Sequence, residues 1–189
     1  RWKKVAEICD RGAQLYAAYL GGNEQALEEL VKMYGDPLTR FAYCIVRDDG
    51  CAEDVTADTF AVLIVKRKHF RGESKFRTWL YSVARNRAID YVRKSRRCGT
   101  LSGLENVLTC PDDQSLEKSE RLNKLYACMQ QLQDGYKEVL CLSYFDGFSV
   151  GEICHILKKS AKQVYNLLAR AKSSLKNIML KEGYSYEDF

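Results

Sequence analysis

Apolar residues in the first quarter of the chain recur at helical spacing. Leu27, Leu30, Val31 and Tyr34 fall at i, i+3, i+4 and i+7, which stacks them on one helix face. Gly35 then interrupts, and Asp36 followed by Pro37 reads as the cap and first position of a second helix, where proline's missing N–H is no loss. Leu38, Phe41, Ala42 and Ile45 repeat the spacing. A third helix is expected from about Ala52 to Lys68, then a loop at Arg71-Gly72-Glu73-Ser74. A fourth helix follows, with Phe76, Leu80, Val83 and Ala84 as its core stripe. Periodicity fails from Cys98 to Ser115, where Gly99, Gly103, Pro111, Asp112 and Asp113 gather. It resumes with Leu122, Leu125, Met129 and Leu132, then Tyr136, Val139, Leu140 and Ser143. Strand signals are nearly absent. The pattern predicts an all-α chain of two small helical domains, residues 1–97 and 116–189, joined by a flexible linker over residues 98–115.

The sharpest local signal lies near the C-terminus. Asp146-Gly147 stops one helix, and Ser149 with Glu152 forms an S-x-x-E capping box, with Phe148 and Ile153 as its hydrophobic staple. Ser160 and Gln163 form a second box eleven residues later. Between them lie a short helix, Val150 to Leu157, and a three-residue turn through Ser160; a longer helix starts at Ala161. Val164, Leu168, Ala171, Leu175 and Ile178 share one face of that helix, while Lys162, Tyr165, Asn166, Ala169 and Arg170 lie on the other. A short helix, a tight turn and a longer basic helix make a helix-turn-helix. A plain helical hairpin with solvated lysines has the same outline.

Charge distribution weighs toward a polyanion partner. The chain of 189 residues carries a formal net charge of +5. Lys66 to Arg97 holds 12 Lys and Arg against Glu73 and Asp90, and Lys158 to Lys181 holds seven basic residues and no acid, so the rest of the chain is net −12. Two basic segments on an otherwise acidic chain suggest two separate contacts with nucleic acid. A charge run by itself is as easily a solvated face. At 46% hydrophobic and 29% charged residues the chain reads as globular. No apolar run approaches the roughly 18 residues of a membrane span, so no membrane insertion is expected. The start, Arg1-Trp2-Lys3-Lys4, lacks an initiator Met and the apolar stretch of a signal peptide; a soluble, cytoplasmic chain with trimmed first residues is the expectation. The eight cysteines are scattered, with no C-x-x-C pair, and only His69 and His155 accompany them. That argues against a zinc site and for small buried thiols, with redox sensing as the alternative. No nucleophile–base pair, phosphate loop, metal cluster or cofactor site can be assembled, so no enzyme is expected.

The run Phe76-Arg77-Thr78-Trp79-Leu80-Tyr81-Ser82-Val83-Ala84-Arg85-Asn86-Arg87-Ala88-Ile89-Asp90-Tyr91-Val92-Arg93-Lys94 closely resembles the second conserved region of bacterial sigma-70 family factors, in the small extracytoplasmic-function (ECF) group. Ala52-Glu53-Asp54-Val55-Thr56-Ala57-Asp58-Thr59-Phe60 resembles that region's core-binding helix, and Glu152 through Lys172 is similar to the fourth region. The order and the spacer fit too. The resemblance implies a subunit that binds RNA polymerase core and directs promoter-specific initiation. Its first domain would bind single-stranded −10 DNA after helping to melt it, through Lys66, Phe70, Arg71, Ser74, Lys75, Trp79, Asn86, Arg93 and Lys94. Exposed aromatics would offer stacking surfaces, worth about 1–3 kcal/mol per base. Asn86 shares a helix face with Trp79 and has the donors and acceptor to read a flipped base. Arg85, Arg87, Arg96 and Arg97 would add phosphate contacts. Phe76 reads rather as core, and core packing for Trp79 or a local backbone cap for Asn86 are the bland readings.

By the same resemblance, Glu53, Asp54, Val55, Asp58 and Phe60 would lie against the polymerase clamp, and the linker would thread through core. The second domain would place Lys162, Gln163, Tyr165, Asn166, Ala169 and Arg170 on duplex −35 DNA. An anti-sigma factor is the further partner implied. Departures from the family pattern are Ala57 for Gln, Ser82 for a basic residue, Lys158-Lys159 for a glycine and an apolar residue, and Leu167 for Arg. They touch individual contacts rather than the fold. Two other readings remain: a helix-turn-helix regulator acting on duplex operators without polymerase, and an interaction protein that keeps the fold but not promoter activity. The Trp79-to-Lys94 run speaks against the regulator, which needs no single-strand surface.

Overall fold

Asp10 organises the start of the molecule. One carboxylate oxygen accepts from the Ala13 amide as an N-cap, and the other accepts from the Phe76 amide, so one side chain caps two helices 66 residues apart. The computed structural model describes residues 10–65, 70–98 and 124–184, and all regular structure among them is helical. The elements are α1 (Arg11–Leu20), α2 (Glu24–Val46), α3 (Asp49–Val65), α4 (Phe76–Cys98), α5 (124–130), α6 (Asp134–Leu140), a π-helical turn (Cys141–Phe145), α7 (Val150–Leu157) and α8 (Ala161–Lys181). Helices α1–α4 form one bundle and α5–α8 the other. Lys66, His69, Leu122 and linker residues 99–115 lie outside the described residues. Near Gly12, an added Cβ would stand 2.6 Å from the Tyr34 hydroxyl and 2.7 Å from Phe76, so α1 packs there only as glycine.

One expected boundary is corrected. Gly35-Asp36-Pro37 does not separate two helices; α2 runs unbroken with Pro37 inside it. Proline removes one ladder bond and usually kinks or ends a helix. Here Leu30, Tyr34, Leu38 and Phe41 are buried on one continuous face spanning the interruption, and that burial outweighs the lost bond. Other elements agree with the pattern: residues 71–74 are non-helical, and α4 buries Phe76, Leu80 and Ala84 with Val83 half-buried. The helix expected through Tyr136 and Ser143 becomes α6 plus the π turn, which the Asp146 amide closes on the Cys141 carbonyl at 3.0 Å.

Buried residues of the two bundles join in one core. Tyr81 of α4 lies edge-on to Phe148 with centroids 4.7 Å apart, and Arg77 stacks its guanidinium 4.2 Å above the Phe148 ring. Leu38, Phe41, Leu142, Ile153 and Val164 belong to one buried cluster that crosses the junction.

Candidate nucleic-acid interface

The helix-turn-helix forms as its sequence dictates. Ser149 Oγ accepts from the Glu152 amide while the Glu152 carboxylate accepts from the Ser149 amide at 2.9 Å. Ser160 and Gln163 repeat the reciprocal pair at the start of α8, the Gln163 carbonyl accepting from the Ser160 amide at 2.9 Å. Lys158, between the helices, is left-handed at φ 54°, the position where glycine is free of strain; lysine there costs about 1 kcal/mol. The staple residues Phe148 and Ile153 are both buried.

On α8, Val164 and Ala171 are fully buried, and Leu168, Leu175 and Ile178 are half-buried against the rest of the domain. Lys162, Tyr165, Asn166, Ala169 and Arg170 face outward, Tyr165 at 60% exposure. Gln163 is exposed as well, with its amide oxygen accepting one bond within the cap and its amino group turned to no partner there.

The first domain places its expected residues differently. Phe70 and Trp79 are half-buried in an aromatic cluster with Phe76 and Tyr16. Phe70 lies edge-on to Phe76 at 5.3 Å and tilted to Trp79 at 5.4 Å. Trp79 therefore shares part of its surface with Tyr16 of α1, their centroids 6.2 Å apart. Asn86, by contrast, is exposed and makes no side-chain hydrogen bond among the described residues, so it does not cap local backbone. Arg71, Lys75, Arg93 and Lys94 are exposed and Ser74 half-buried. Arg93 approaches Asp90 only at 3.9 Å, with both side chains largely in water.

Two basic residues of α4, Arg77 and Arg85, are engaged by the second domain. Arg85 forms a two-pronged pair with Glu138 of α6, with side chains 17% and 11% exposed. Arg77 donates to the Asp146 carbonyl at 2.6 Å, and Tyr81 donates to the Asp146 carboxylate at 2.6 Å. Lys75 pairs with Glu152 at 2.9 Å and Arg47 with Asp134 at 2.7 Å. In this closed arrangement the Arg85 guanidinium is committed to Glu138. Burial pushes the Asp146 carboxyl up to about 6 against the pull of Tyr81, Arg77 and Arg40. Burial likewise raises Glu138, with Arg85 opposing. In the sequence Asp146 reads only as a helix stop and Glu152 only as a capping residue, while Asp134 and Glu138 carry no signal beyond the net charge.

The proposed polymerase contact on α3 also divides. Glu53, Asp54 and Asp58 are exposed, but Val55 is 2% exposed and Phe60 7%. Val55 packs with Ala42, Val46 and Ala88, and Phe60 belongs to the main core, so most of each side chain is spent on the bundle itself. Asp54, Val55 and Asp58 line a groove of about 470 Å³ with Arg87, Tyr91 and Lys94.

Residues 30–98 match the family model of sigma-70 region 2, and residues 122–175 that of sigma-70 region 4. The chain is 33% identical over 156 residues to the ECF RNA polymerase sigma factor SigM of Bacillus subtilis, which covers 79% of this chain and 93% of that protein. It is 31% identical over 136 residues to the RNA polymerase sigma factor CarQ of Myxococcus xanthus, covering 70% and 76%. Two solved structures share the fold. CnrH in complex with the cytosolic domain of CnrY matches at TM-score 0.65 and 24% identity, over 90% of this chain and 96% of that one. The sigma factor RpoE, in complex with the anti-sigma factor NepR from Bartonella quintana, matches at TM-score 0.68 and 22% identity, over 80% and 95%. No helix among the described residues is long and apolar enough to cross a membrane. With regions 2 and 4 matched in order and the SigM likeness running through most of both chains, the chain belongs to the ECF group of the sigma-70 family, the sigma factors that direct RNA polymerase to promoters.

Proposed function

We propose that the free protein rests in the closed form and that RNA polymerase core, acting in the cytoplasm, opens it for promoter recognition. Glu53, Asp54 and Asp58 offer an acidic surface to the polymerase clamp. The −10 strand runs along the loop at residues 70–75 and up α4, with Asn86 reading an unstacked base and Arg71, Arg93 and Lys94 holding phosphates. Helix α8 enters the −35 major groove. An anti-sigma factor is a fitting further partner, and the protein has no catalytic role of its own. The observation that carries this reading is α8 itself, whose outward face is basic, free of acid and held by two capping boxes.

Reconstitution with core polymerase tests it. The free chain should bind DNA weakly and with strong salt dependence, because the pairing of Arg77 and Arg85 removes cations from its footprint. Promoter-specific initiation should appear only with core. Tight sequence-specific binding to duplex DNA without polymerase would make the chain a regulator instead.

Arg170 gives a residue-level check. If its guanidinium reads a base edge with both prongs, Arg170→Ala should weaken −35 binding by roughly 1–3 kcal/mol and relax preference at one base pair. An equal loss on all sequences would assign Arg170 to a phosphate.

A further inference from the structure

Cys44 lies near the end of α2 and Cys141 opens the π turn, and in the structure the two are joined as a disulfide across the junction between the domains. Three other described cysteines, Cys51, Cys128 and Cys154, remain free. The bond is the only disulfide among the described residues, and it links positions 97 residues apart. The Cα atoms of the bridged pair stand 7.2 Å apart, so the bond ties the last turns of α2 directly to the π turn. The same junction between the domains carries the contacts Arg47 with Asp134, Arg85 with Glu138, and Tyr81 with Asp146.

We propose that Cys44 and Cys141 are a reversible redox modification site that locks the two domains closed, with a low-molecular-weight disulfide as the oxidant. This rests on the closed-form reading above. The ion pairs and ring contacts hold the junction reversibly; the bond removes the open state altogether. In the closed form both cysteines are buried, at 8% and 3% exposure, so the chemistry starts from the open form, where water and reagent reach them. One cysteine thiolate attacks a sulfur of the small disulfide, forming a mixed disulfide and releasing one small thiolate, which takes up a proton. When the domains close, the second cysteine thiolate attacks the protein sulfur of that mixed disulfide and expels the other small thiolate. Two protein thiols have then lost two electrons and two protons, and one small disulfide has become two thiols. Excess small thiol reverses the sequence. Selectivity comes from position: closure brings Cys44 to Cys141, and in the structure it leaves Cys51, Cys128 and Cys154 unpaired.

The test uses the full chain equilibrated with oxidised glutathione or with dithiothreitol, then mapped by non-reducing peptide mass spectrometry and assayed with core polymerase for run-off transcription. The oxidised chain should yield a linked Cys44–Cys141 peptide pair. It should also lose initiation by about tenfold or more, recovering when dithiothreitol is added. Cys44→Ala and Cys141→Ala should each stay active after oxidation, whereas Cys51→Ser and Cys154→Ser should still be silenced. Absence of the linked peptides, or full activity of the linked chain, overturns the lock. If the alanine variants do not fold, the wild-type peptide map and activity decide alone. A reduced chain that never initiates with core would instead overturn the sigma reading, while the peptide map still reports whether the bond forms.

Discussion

Glu138→Ala is expected to open the free protein and to raise its affinity for DNA. Glu138 and Arg85 are both mostly buried at the domain junction and make two hydrogen bonds to each other. Removing the carboxylate leaves the Arg85 guanidinium in a low-dielectric pocket without its counter-charge. Breaking one side of a buried pair costs about 3–5 kcal/mol, and here the closed state bears that cost, because water solvates Arg85 once the domains part. The closed-to-open equilibrium should therefore shift by roughly two to nearly four powers of ten. Under reducing conditions, small-angle scattering should show a larger radius, and free-chain DNA binding should tighten with a steeper salt slope as Arg85 joins the footprint. Replacing both partners together, Arg85→Met with Glu138→Leu, should restore closure, since an apolar pair of similar volume avoids the desolvation cost. An unchanged radius and unchanged DNA affinity in Glu138→Ala would show that this pair does not hold the domains together.

The second large effect concerns Asn86. Its side chain is exposed and makes no hydrogen bond among the described residues, so Asn86→Ala should leave unfolding stability within about 0.5 kcal/mol. If Asn86 binds a base that leaves the stack on melting, the hydrogen bonds lost belong to the open complex alone, and promoter opening should fall roughly 10- to 100-fold. Affinity for core and for duplex −35 DNA should not change. Phe70→Ala is the less clean companion. Phe70 packs on Phe76, Trp79 and Tyr16, so its truncation lowers stability as well as removing any wall it offers to a base. Thermal melting, core affinity and permanganate mapping of the melted strand on one Asn86→Ala preparation separate the cases. A stable variant that opens its promoter normally would sink the base-reading role.

Features closed by local bonds were legible along the chain. The boxes at Ser149–Glu152 and Ser160–Gln163 span three residues each, so side-chain type and spacing suffice to specify them. The outward face of α8 followed from helical periodicity, and the left-handed turn at Lys158 marks the place where glycine was expected. Periodicity also gave the all-helical architecture and the order of its elements, since each helix must bury one stripe wherever it packs. Local signals misled where packing overrode them. Gly35-Asp36-Pro37 has the residues of a helix boundary, yet the apolar face from Leu30 to Phe41 carries α2 through it. Val55 and Phe60 sit within the run proposed to contact polymerase, but only the docking of α3 on α2 and α4 shows that these two pack largely inward.

Contacts between distant residues belong to the tertiary structure alone. Arg85 and Glu138 are 53 residues apart, Tyr81 and Asp146 are 65 apart, and Cys44 and Cys141 are 97 apart. Their residue types are ordinary surface charges, a tyrosine and two scattered thiols, and nothing near them in the chain names the partner. The contact of Trp79 with Tyr16 on α1 arose in the same way. The amino-acid order determined which faces were apolar and which basic; how those faces met depended on burying apolar area and pairing charge between bundles that no local spacing connects.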